Sequence, residues 1–95
     1  MASYSEKIRE TLVFEDISLA RQLFGEQNCN LKKVADTLEI NIQARGNTVH
    51  IEGDSISTSL ADNILNQLYE LLKEQYPIYP NDIDFAIRTL SGDNK

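Results

Sequence analysis

Ninety-five residues suffice for one domain with a modest core and not for two. An apolar fraction of 41% and a charged fraction of 25% are those of an ordinary globular chain, and apolar runs of only three residues, such as Leu12-Val13-Phe14, leave nothing to span a membrane. The net charge of −6 argues against a general nucleic-acid binder.

The first residues, MASYSEKIRE, lack an apolar core, so residues 1–7 read as a short flexible leader rather than a signal peptide. Lys7 to Phe14 then sets Ile8, Leu12 and Phe14 against Arg9, Thr11 and Val13, the alternation of a strand. Asp16 can cap a short helix with apolar positions Leu19, Ala20, Leu23 and Phe24, and Gly25 can end it. Asn30 is placed to cap a second helix, whose Leu31, Val34, Ala35 and Leu38 fall at i, i+3, i+4 and i+7.

A hairpin follows. Ile40, Ile42 and Ala44 alternate with Asn41, Gln43 and Arg45, and Val49 and Ile51 alternate with Thr48, His50 and Glu52 across Gly46-Asn47. A two-residue Gly-Asn loop fits a primed turn, which pairs Ala44 with Val49 and Ile42 with Ile51 on the buried face, and Gln43 with His50 on the other. Gly53-Asp54 opens a long helix with an apolar stripe of Ile56, Leu60, Ala61, Ile64, Leu65, Leu68, Leu71 and Leu72. Tyr76-Pro77-Ile78-Tyr79-Pro80 breaks it, and Asn81 restarts a last helix with Ile83, Ala86, Ile87 and Leu90 on one face and Asp84 at the acidic capping-box position. The order β-α-α-β-β-α plus one helix predicts an α+β domain, a three-stranded antiparallel sheet covered by helices on one face. Leu31, Val34, Leu38, Ile42, Ile51, Leu60, Ile64 and Leu68 are the expected shared core.

The turn between the first two helices, Gly25-Glu26-Gln27-Asn28, stands immediately before a helix start, where backbone N–H groups attract phosphate. Its surroundings are the least acidic part of the chain. Residues 30–53 balance Lys32, Lys33 and Arg45 against Asp36, Glu39 and Glu52, whereas residues 1–29 and 54–95 are both net acidic.

Gly25, Asn30, Leu31, Lys32, Val34 and Ile42 fall without a gap into a pattern that resembles the type I KH domain of single-stranded nucleic-acid binders, over about residues 8–75. More specifically, ARQLFGEQNCNLKKVADTLEINIQARGNTVHIEGD, LADNILNQLYELL and PNDIDFAI together resemble the N-terminal domain of PhoH-like proteins, a bacterial phosphate-starvation-inducible family. Residues 76–95 are then an appended helix and tail. The resemblance implies a second domain that is a P-loop ATPase binding ATP and Mg, absent from these residues: the four glycines form no G-x-x-x-x-G-K-[ST]. No cofactor is expected for this chain itself. One departure stands out. A KH loop ends in a second glycine and often carries bases, whereas here Asn28 replaces that glycine and Glu26 faces the expected phosphate.

The remaining residues of chemical interest read as structural. Cys29 fits a small turn filler, His50 a passive surface residue, Asp82 and Asp84 a helix start, and Tyr69, Tyr76 and Tyr79 packing for the last helix or for a neighbouring domain. No nucleophile–base pair is readable and no metal ligands cluster, so the chain reads as a non-enzyme. Two hypotheses stay open. One is a single-stranded RNA module holding the strand between the Gly25–Asn28 turn and residues 40–45. Gly25, Gln27 and Asn28 would give backbone contacts, Lys32, Lys33 and Arg45 charge, and Arg21 a flanking contact. The other is a docking module that keeps the shape without nucleic acid, and joins an attached ATPase domain or a partner protein.

Overall fold

The computed structural model describes residues 7–90, so most of the expected leader and the last five residues of the tail lie outside the described residues. Period-two alternation becomes three strands: β1 (Ile8–Val13), β2 (Asn41–Arg45) and β3 (Thr48–Gly53), in the antiparallel order β1-β3-β2. The hairpin register is the expected one, with Ile42 opposite Ile51, Gln43 opposite His50 and Ala44 opposite Val49. Gly46 takes φ 62° and Asn47 stays at negative φ, the pattern of a type II′ turn. Asn47 also ties the hairpin to the end of β1. Its Nδ2 donates to the Phe14 carbonyl (2.7 Å), and the Phe14 N–H donates back to its carbonyl (3.0 Å).

The described residues also form four α-helices, α1 (Ile17–Phe24), α2 (Cys29–Leu38), α3 (Ser55–Lys73) and α4 (Pro80–Leu90). Asp16 caps α1 by accepting from the Leu19 N–H (3.1 Å), and Asp54 caps α3 by accepting from the Ser57 N–H (3.2 Å). α3 packs on β1, β3 and α1, α2 packs on β2, and α4 lies against α2 and α3. The buried core runs through Phe14, Leu23, Leu31, Val34, Val49, Ile51, Ile64, Leu65 and Leu68 and takes in Ile83 and Ile87 of α4. The fold is α+β, with the helices on one face of the sheet and the other face open.

Several local expectations are corrected. α2 starts at Cys29, and Asn30 is not its cap; its Nδ2 donates to the Leu23 carbonyl (3.0 Å) and so satisfies the end of α1. α4 starts at Pro80, whose fixed φ suits a first helical position, which moves the capping-box role to Asp82: its Oδ2 accepts from the Tyr79 N–H (2.9 Å). In the stripe of α3, Ile56 is 71% exposed and Leu71 42% exposed, and Leu60 is only half-buried. Thr58 takes the buried place near the start of the helix, because its hydroxyl bonds the carbonyls of Asp54 (2.8 Å) and Ser55 (3.1 Å) and is buried without an unmet polar group. Leu38 and Ile42 are also half-buried, at the margin of the core. Tyr69 packs on Phe14 (ring centroids 4.7 Å apart) with its hydroxyl accepting from the Asp16 N–H (3.0 Å), and so joins α3 to the β1–α1 corner rather than to the last helix.

Candidate nucleic-acid interface

The corner between α1 and α2 is built from Gly25 outward. Gly25 has φ 83° and ψ 172°, and its N–H donates to the Arg21 carbonyl (3.0 Å), closing α1. A side chain here would meet Asn30 Cγ, Asn30 Nδ2 and Cys29 Sγ, each at 2.9 Å from a Cβ. Only glycine suits both the conformation and the space. The chain then turns through Glu26–Asn28, with the Asn28 N–H donating to the Gly25 carbonyl (3.0 Å). Gln27 (φ 52°, ψ 32°) and Asn28 (φ 61°, ψ 30°) are both left-handed. Asn28 thus adopts, without being glycine, a conformation that glycine favours, as asparagine does more readily than most residues.

The N-terminus of α2 differs from those of its neighbours. Asn28 makes no side-chain cap bond, whereas α1 and α3 are capped by Asp16 and Asp54. The Cys29 N–H donates to the Glu26 carbonyl, and no side chain caps the other first-turn N–H groups of α2, with the positive end of the helix dipole behind them. Glu26, Gln27, Asn28 and Cys29 are all exposed around them.

The candidate cations divide. Lys32 is exposed one turn into α2 and has no ion-pair partner among the described residues. Lys33 turns toward α4, where its Nζ lies 3.3 Å from Asp84 Oδ2. Arg21 is exposed in the last turn of α1, next to the turn in sequence and joined to it through its carbonyl. Arg45 is exposed at the hairpin end of the edge strand β2, opposite Thr48. Arg21, Gly25, Gln27, Asn28 and Lys32 thus lie along one stretch of chain, Arg45 stands on a separate element, and Lys33 is paired with an acid.

Two features escaped the sequence reading. Asn30 supports the turn from behind, as described. The open face of the sheet also carries a depression of about 600 Å³, lined by Arg9, Thr11, Asn41, Gln43, His50 and Glu52. There Arg9 Nε pairs with Glu52 Oε2 (3.2 Å), and His50 Nδ1 lies 3.3 Å from the Thr11 hydroxyl. The alternation of the strands had already set Gln43 beside His50 on this face. Among the described residues, no group of three His, Cys, Asp or Glu could hold a metal ion, and no helix is long and apolar enough to cross a membrane.

No family model matches the chain, and no solved structure matches it. Over 69 residues, 73% of its length, it is 36% identical to a PhoH-like protein of Bacillus subtilis (strain 168), of which it covers 22%. Over 70 residues, 74% of its length, it is 26% identical to a PhoH-like protein of Mycobacterium leprae (strain TN), of which it covers 20%. The chain spans about a fifth of the length of these curated bacterial relatives, and over most of its own length it is similar to part of a PhoH-like protein.

Proposed function

We propose that the chain is a KH-like module that binds single-stranded RNA and presents it to the ATPase domain of a PhoH-like, cytoplasmic, phosphate-starvation-related bacterial protein. The observation that carries this reading is the uncapped N-terminus of α2, preceded by the left-handed Gln27-Asn28 turn and followed by Lys32. The start of α2, which no side chain caps, receives a phosphate, Lys32 adds charge, and Arg21 and Arg45 flank the strand. The chain's own part is binding and not catalysis, and ATP and Mg belong to the attached domain. Support comes from the β1-β3-β2 order of the sheet, which suits a KH-like arrangement, and from the similarity to PhoH-like proteins.

Glu26 is the residue most at odds with this task. Fluorescence anisotropy with a labelled oligouridylate at two salt concentrations tests it. Glu26→Lys should tighten binding and Lys32→Glu weaken it, both effects shrinking as salt rises, because phosphate contacts act through counterion release. No binding by the folded parent chain or by Glu26→Lys at low salt would remove the RNA reading.

A second reading, a docking module, is favoured by one observation. Between α3 and α4 runs a groove of about 190 Å³, lined by Leu68, Leu71, Phe85, Ala86 and Leu90, with Phe85 69% exposed. Such a groove suits an apolar segment of an attached domain or of a partner.

A further inference from the structure

The two adjacent lysines of α2 face different surroundings, although both look equally suited to phosphate. Lys33 Nζ lies 3.3 Å from Asp84 Oδ2, with the two side chains 36% and 45% exposed. A surface pair of this kind is weak and can open. The position of the acid is firmer than the pair itself. Asp84 follows Ile83, which is fully buried, and lies one helical turn before the buried Ile87, so α4 carries its carboxylate to the flank of α2 whether or not Lys33 holds it. A phosphate approaching Lys33 therefore meets a neutral pair, and if Lys33 swings away to meet it, Asp84 is left as an unpaired acid close by. Lys32, exposed and without an ion-pair partner among the described residues, carries no such offset.

We infer that Asp84 is an affinity-determining residue of the RNA site: it cancels Lys33, so that Lys32 alone is the phosphate-contacting cation of α2. This rests on the RNA-binding reading above. The helix that follows the KH-like part then sets how tightly that part holds its strand, through a residue that never touches the strand. A charge on α4 also confines the strand to the Lys32 side of α2.

The test is oligouridylate affinity of the full chain by fluorescence anisotropy between about 50 and 200 mM salt, with thermal melts to verify folding. Asp84→Asn should tighten binding about threefold or more at the lower salt and steepen the salt dependence by about 0.7 in the log–log slope, the value of one further phosphate contact on a single strand. That gain should fall about two- to threefold across the same salt range. Lys33→Gln/Asp84→Asn should bind nearly as the parent does, because one neutral pair replaces another, whereas Lys33→Gln alone, which uncovers the Asp84 carboxylate, and Lys32→Gln should both weaken binding. If the gain survives in Lys33→Gln/Asp84→Asn, Asp84 acts only as bulk charge and the inference is overturned. A loss in Lys33→Gln/Asp84→Asn as large as that of Lys32→Gln overturns it too, while leaving the RNA reading in place. Absence of binding in the parent and in every variant removes both.

Discussion

At φ 83° and ψ 172°, Gly25 occupies backbone space that side-chain-bearing residues rarely enter, and the methyl of alanine would meet Asn30 Cγ, Asn30 Nδ2 and Cys29 Sγ at 2.9 Å. Backbone strain of this kind costs about 1–3 kcal/mol. Forcing a methyl into filled space costs a further 1–3 kcal/mol or about that. Gly25→Ala should therefore lose roughly 2–6 kcal/mol, a large share of the usual stability of about 5–15 kcal/mol for a domain. Gly46→Ala is the control: that residue also has positive φ, 62°, but nothing lies within 4 Å of its would-be Cβ. It should cost only the backbone strain, about 1–3 kcal/mol. Asn30→Ala removes two of the three crowding atoms, and with them the hydrogen bond to Leu23, itself worth about 0.5–1.5 kcal/mol. The double variant should thus be less destabilised than the two single losses added together. Urea unfolding followed by far-UV circular dichroism reads all four. A Gly25→Ala loss no larger than that of Gly46→Ala would refute the argument for how this corner is held.

Leu68, 2% exposed beneath α4, should lose about 2–5 kcal/mol on Leu68→Ala in the same assay; a loss under roughly 1 kcal/mol would place it outside the core. Glu10 sits on the helix-facing side of β1, and a hydrogen bond with Asp62 of α3, reinforced by burial and by repulsion between the two carboxylates, holds its pKa above the ordinary 4.5. The folded chain therefore binds this proton more readily than the unfolded chain does. The resulting stabilisation is complete below the ordinary value and is lost as pH rises through the raised one. Glu10→Gln should flatten the pH dependence of the urea midpoint just above 4.5, and an unchanged slope there would contradict the contact.

The hairpin was the most legible part of the fold, because Gly46-Asn47 fixes the loop length and a one-residue slip would turn Ile42 and Ile51 outward. The caps at Asp16 and Asp54 were legible for a related reason: each acts three residues along its own helix. What the sequence left open depends on distant neighbours. Apolar identity alone put Ile56 and Leu71 in the stripe of α3, but the helix phase is set by what α3 packs on, and a threonine whose hydroxyl is met by its own backbone can take the inner position. Lys33 looked equivalent to Lys32 because nothing local separates them; the difference is Asp84, 51 residues away and brought in by α4. Asn30 looked like a cap because it precedes an apolar run, yet the end of α1 behind it is the nearer claimant for its amide.

The central claim is that the Gly25–Asn28 turn and the start of α2 hold a single strand of RNA. Amide chemical-shift mapping of the ¹⁵N-labelled chain, titrated with a short oligouridylate at low salt, tests it most directly. Shifts should concentrate at Gly25 to Lys32, with smaller ones near Arg21 and Arg45. The Gln43–His50 face of the sheet and the Leu71–Phe85 groove should stay still. Shifts confined to either of those surfaces, or none at all in a well-dispersed spectrum, would contradict it.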